Sequence, residues 1–168
     1  MVPIVFAHGL EGSPEGTKVQ WLKAQGLEVI APDGRGMVLQ DRLTDLEIET
    51  RRGGLLLVGS SYGGLAAAWL AEQYPDRFVG LLLLAPALHH TEPPVVDAAI
   101  LKAPVVVPTL VIHGLHDEIV PIEVSRRYCE LSGTHAELVE VNDGHRLINS
   151  LPLISQAASK MGGLDSTS

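Results

Sequence analysis

The sequence predicts an α/β fold, a three-layer sandwich with an open, mostly parallel sheet of about six strands and helices on both faces. Three observations predict it. Short apolar runs recur along the chain, and several are apolar at successive positions, as strands buried on both faces must be. Stretches with helical spacing alternate with these runs, which is the order of βαβ units. Finally, 46% of the residues are apolar and 19% charged, enough for a large core, yet only 4% are aromatic. That core must be built mainly from Val, Leu, Ile and Ala.

The expected strands are 2–7, 28–31, 55–59, 78–85, 109–113 and 137–141, each run ending in Gly, Pro or Asp or close to one. The first expected helix, 17–25, carries Val19, Leu22 and Trp21 on one side. A weaker one over 40–52 turns Leu43, Leu46 and Ile48 inward. Residues 64–74 are rich in Ala and Leu, and helices over 122–131 and 147–161 complete the set. The segment 86–108 holds Pro86, Pro93, Pro94, Pro104 and Pro108, so it cannot be one long helix. A short helix over 95–101 with irregular flanks fits there, either as a plain crossover or as a small lid. Residues 1–168 read as one domain whose Gly- and Ser-rich tail, 162–168, is expected to fray.

A formal charge of −8 argues against a nucleic-acid or anionic-membrane partner. The single cysteine, Cys129, excludes an intramolecular disulfide and suits a reducing compartment; on its helix it reads as a packed side chain. The apolar start, 1–6, lacks a positively charged lead and runs at once into His8-Gly9, so it reads as a strand and not a signal peptide. No apolar run approaches the ~18 residues of a membrane span. The expectation is a soluble, cytoplasmic protein.

The strongest motif is Gly59-Ser60-Ser61-Tyr62-Gly63, between an apolar strand and an Ala-rich helix. A turn this sharp strains the nucleophile's backbone and needs small residues two before and two after it. Gly59 and Gly63 meet that need around Ser61, whereas centring on Ser60 would put Val58 and Tyr62 there. A serine hydroxyl is a weak nucleophile, so a histidine must take its proton and a carboxylate must orient that histidine. His145, in Asn142-Asp143-Gly144-His145, follows the last strand and is the candidate base. Asp117, in the loop after strand 109–113, is the candidate acid, with Glu118 and Asp97 behind it; Asp143 reads as a turn residue. Negative charge on a tetrahedral intermediate needs preplaced backbone amides. Tyr62 N–H is one candidate; Leu10 N–H, with Glu11 N–H second, is the other.

Four features together resemble the α/β-hydrolase family: His8-Gly9 after the first strand, the Ser61 turn, Gly114-x-x-Asp117-x-x-Val120-Pro121, and Asp143-Gly144-His145. The segment His8-Gly9-Leu10-x-Gly12-Ser13-Pro14 looks like the small, capless esterases of the YqiA-like group. The resemblance implies a carboxylesterase or thioesterase working through a covalent acyl-serine. Compared with larger members, the chain starts at the counterpart of their third strand and lacks their cap. An open cleft suits small or short-acyl substrates.

Other residues carry less. His113-x-x-His116-Asp117-Glu118 spans a strand end and a loop, so His113 reads as a packing or hydrogen-bonding residue and no metal is expected. His8 reads as part of the oxyanion loop, His89 and His90 as solvated loop residues, and Asp33 as a turn residue. No G-x-G-x-x-G or P-loop occurs, and no cofactor is expected. Two alternatives stay open: a binding or scaffold module on the same fold, and an acyltransferase that passes the acyl group to an alcohol or amine. The oligomeric state is not legible.

Overall fold

A computed structural model describes residues 2–163. The chain runs β1 (Ile4–Ala7), α1 (Thr17–Ala24), β2 (Val29–Ile30), α2 (Leu39–Glu49), β3 (Leu55–Ser60), α3 (Tyr62–Gln73), β4 (Phe78–Leu84), β5 (Thr109–Gly114), α4 (Ile122–Ser132), β6 (Ala136–Val141) and α5 (Leu151–Met161). The strands of the six-stranded sheet all pair in parallel, in the order β2-β1-β3-β4-β5-β6. From β1 the chain goes first to β2 on one side, then returns to β3 on the other. The reversal leaves a crevice outside the carboxyl ends of β1 and β3, where open parallel sheets receive ligands.

Alternation along the strands makes the two cores. Val5, Ala7, Leu55, Leu57, Leu81 and Leu83 face α2 and α3, whereas Ile4, Phe6, Leu56, Val58, Leu82 and Leu84 face α1 and α5. Trp21 of α1 is half-buried and pins that helix to α5, its Nε1–H donating to Ser155 Oγ at 3.0 Å. No helix among the described residues is long and apolar enough to cross a membrane.

Three expectations need correction. On α2, Ile48 is 51% exposed, while Leu39 and the 4%-exposed Arg42 join Leu43 and Leu46 inside. Helix α5 starts at Leu151 and not at 147, because Leu147 takes a left-handed φ of 54°. Asp143 Oδ2 then ties down the loop, accepting from Asn149 N–H at 2.9 Å and Ser150 Oγ–H at 2.8 Å. The expected helix over 95–101 is a single 3₁₀ turn, Ala98–Ile100, capped by Asp97 Oδ1 on Ala99 N–H. Its buried Val95, Ala98, Leu101, Ala103 and Val107 pack into the α2–α3 core, so the segment is part of that layer. The expectation for the tail falls, from residue 164 on, outside the described residues.

Candidate active site

Ser61 links β3 to α3 with φ 55° and ψ −116°, a conformation that costs about 1–3 kcal/mol in a non-glycine residue. Its backbone is held from both sides. Ser61 N–H donates to Leu84 C=O at 3.0 Å, and its own carbonyl accepts from Gly64, Leu65 and Ala87. A Cβ on Gly59 would lie 2.5 Å from Gly63 O and 2.7 Å from Ala67 Cβ. On Gly63 it would overlap the carbonyls of Ala7 and His8. Glycine is therefore what lets α3 close against the ends of β1 and β3.

His145 Nε2 lies 3.0 Å from Ser61 Oγ, and its Nδ1 lies 2.7 Å from Asp117 Oδ2. The three side chains come from the ends of β3, β5 and β6, and the structure brings them into one hydrogen-bonded chain. The Asp117 side chain is wholly buried, and its two oxygens meet only donors. Oδ1 accepts from the amides of Ile119 and Val120, both at 2.8 Å. Oδ2 accepts from His145 Nδ1–H at 2.7 Å, and His113 Nε2 approaches it to 3.2 Å. With Nδ1–H committed to Asp117, His145 Nε2 is the free acceptor facing Ser61. Glu118 is exposed, and Asp97 is spent on its cap.

His113 does more than fill a strand end. Its Nε2–H lies between Val120 C=O at 2.8 Å and Asp117, and its Nδ1 accepts from Ser125 Oγ–H at 2.6 Å. It therefore meets the same Asp117 oxygen that His145 does. His8 is also buried: its Nδ1–H donates to Gly9 C=O at 2.7 Å, and its Nε2 accepts from Gly34 N–H at 2.9 Å.

Burial pushes both imidazoles below their ordinary value of 6.5, against the hydrogen bonds to the Gly9 and Val120 carbonyls. When a histidine's folded value is lowered, the unfolded chain binds the proton first. Its contribution to stability is full above the unfolded value and is lost as pH falls below it. Urea denaturation is expected to show folding free energy dropping from pH 7 to pH 5, with a slope of up to about 1.4 kcal/mol per pH unit for each histidine. His113→Gln should flatten part of that slope; a slope equal to wild type would assign the loss to other groups.

The Leu10 loop passes directly beside the serine. A Cβ on Gly9 would lie 3.5 Å from Ser61 Cβ. As the first residue of α3, Tyr62 has an amide with no acceptor inside the helix. The 64%-exposed Leu10 likewise has an amide without a hydrogen-bond partner among the described residues.

Two further residues at the site were not singled out from the sequence. Glu92 accepts from Tyr62 Oη–H at 2.9 Å, Leu39 N–H at 2.6 Å and His90 Nε2 at 3.0 Å. Burial alone would raise its carboxyl, but these three hydrogen bonds hold it below the usual value. Burial, reinforced by Glu92, pushes the Tyr62 phenol up to about 12, so it stays a neutral donor. His90 remains exposed, yet packs edge-on against the Tyr62 ring, the two centroids 5.7 Å apart. The second residue, Arg42, lies under the Leu10 loop. Neither shows a signal at the level of spacing: Glu92 sits in a proline-rich loop, and Arg42 interrupts an apolar stripe.

Sequence and structural relatives agree with this architecture. A sequence model described as Serine hydrolase matches residues 5–150. A pyrethroid hydrolase from Sphingobium wenxiniae is 33% identical over 100 residues, 51% of this chain and 36% of that protein. The chain thus spans about a third of the length of that curated relative. Among solved structures, a hydrolase of the α/β superfamily from Xanthomonas campestris pv. campestris superposes with a TM-score of 0.78 and 27% identity, covering 97% of this chain and 99% of the other. Mouse α/β hydrolase domain-containing protein 10 has the same fold at a TM-score of 0.79 and 20% identity, over 99% and 90% of the two chains. The elbow, the parallel sheet and the match over most of its length lead to one assignment: the chain belongs to the serine hydrolase family.

Proposed function

We propose that the protein hydrolyses carboxylic esters or thioesters through a covalent acyl-serine, with Ser61 as nucleophile, His145 as base and Asp117 as its orienting acid. The observation that carries this reading is the unbroken path from Ser61 Oγ through His145 to the buried Asp117 carboxylate, at 3.0 and 2.7 Å. Ser61 attacks the substrate carbonyl while His145 Nε2 takes its proton, and Asp117 stabilises the imidazolium. The amides of Tyr62 and Leu10 bind the tetrahedral oxyanion in this scheme. Collapse of the intermediate expels the alcohol or thiol, protonated by His145. Water, deprotonated by the same histidine, then frees the acid.

Small or short-acyl substrates fit best, because among the described residues no cap covers the serine. Similarity to a pyrethroid hydrolase makes a pyrethroid a sensible member of the substrate panel.

The test is fluorophosphonate labelling with peptide mapping, beside hydrolysis of p-nitrophenyl acetate and butyrate. One adduct on Ser61, absent from His145→Ala, is expected. A folded protein with neither adduct nor turnover would overturn the reading.

A further inference from the structure

Arg42 is a buried cation without a carboxylate partner. Among the described residues no carboxylate forms an ion pair with it, and its Nε has no hydrogen-bond partner. Burying a charge this way costs stability unless something else requires it. What Arg42 touches is specific. Nη1–H donates to His8 C=O at 2.5 Å, Nη2–H donates to Gly9 C=O at 3.2 Å, and the guanidinium carbon stands 4.8 Å from the Tyr62 ring centroid.

The Gly9 carbonyl is the centre of this arrangement. Besides Arg42 it accepts from His8 Nδ1–H at 2.7 Å and from Gly12 N–H at 3.1 Å. Gly9 C=O and Leu10 N–H belong to one planar trans peptide and point in opposite directions. Holding the carbonyl from one side therefore fixes the amide on the other, and a cation on the oxygen polarises the N–H. This is the amide proposed above as an oxyanion donor, in a loop whose Gly9 lies against Ser61. The same guanidinium packs on Tyr62, whose amide is the other proposed donor.

We propose that Arg42 is a positioning residue for oxyanion binding: it clamps the Gly9–Leu10 peptide with its N–H turned toward Ser61 and places a buried positive charge behind it. The role rests on the acyl-serine reading. Arg42 touches no substrate and acts only through the two backbone donors.

The test compares Arg42→Met and Arg42→Lys with wild type, with active sites counted by phosphonate titration. Turnover of p-nitrophenyl acetate per titrated site should fall about 30- to 300-fold in Arg42→Met, with KM within about threefold of wild type. The inhibition constant of a trifluoromethyl ketone, which mimics the tetrahedral intermediate, should rise by the same factor. Arg42→Lys keeps the charge and should lie between the two. A purely structural role would reduce the number of titratable sites and leave turnover per site unchanged. Turnover per site within about threefold of wild type, or an unchanged ketone constant, overturns the proposal. If Arg42→Met does not fold, Arg42→Lys decides by the same two readouts, with a loss of about tenfold expected. Failure of the underlying reading would appear separately, as full turnover in Ser61→Ala, and would overturn both.

Discussion

Ser61→Ala is expected to lower ester hydrolysis by about 10⁴- to 10⁶-fold while leaving the fold intact. The expectation follows from where the hydroxyl sits. Its backbone is fixed by Leu84, Gly64, Leu65 and Ala87, and none of those bonds involves Oγ. Among the described residues, the only side-chain hydrogen bond given up is the one with His145. Alanine meets the same left-handed backbone with a Cβ of the same kind, so the circular-dichroism spectrum and melting temperature should barely move. Residual turnover should match what the amides and binding supply without a nucleophile. Turnover within about tenfold of wild type would place the chemistry on another group.

Asp117→Asn should cost about 10⁴ in kcat, and the surrounding donors say why. The amides of Ile119 and Val120 both point at Oδ1, so the asparagine oxygen must take that place. Its NH2 then replaces Oδ2 and faces Nδ1 of His145. That nitrogen must now accept, which moves the imidazole proton to Nε2, opposite Ser61. The base becomes a donor with its position unchanged. The asparagine NH2 also faces His113 Nε2–H, donor against donor at 3.2 Å, while that N–H keeps its hydrogen bond to Val120 C=O, so a modest loss of stability should accompany the kinetic effect. Steady-state kinetics on p-nitrophenyl acetate, with a thermal melt on the same samples, separates the two. An asparagine variant with near-native kcat would remove Asp117 from the mechanism.

The candidate site was legible to different depths. Ser61 stands out because a strand, a nucleophile and a helix cannot be joined this tightly without Gly59 and Gly63, a steric demand written into neighbouring residues. Asp117 and His145 are legible as loop residues after predicted strands, since a parallel sheet gathers its carboxyl ends on one edge. The distances between them are not. His113 is visible as a buried strand-end residue, but its contact with Asp117 depends on how the loop 114–120 folds back. Arg42 inverts the usual rule that arginine lies outside. It points inward because two backbone carbonyls wait there, and Ile48 is left exposed on the same helix.

By itself, the sequence determined the class of fold, the order of strands and helices, and the turn that exposes Ser61. These rest on alternation, helical spacing and local sterics, all set by residues close together in the chain. Only the tertiary structure decided that His113 and His145 meet at one oxygen of Asp117, that Glu92 holds Tyr62, that Arg42 grips the Gly9 carbonyl, and that α5 waits until Leu151. Each depends on partners brought together by the sheet from distant parts of the chain, and a hydrogen bond between such partners leaves no period in either segment.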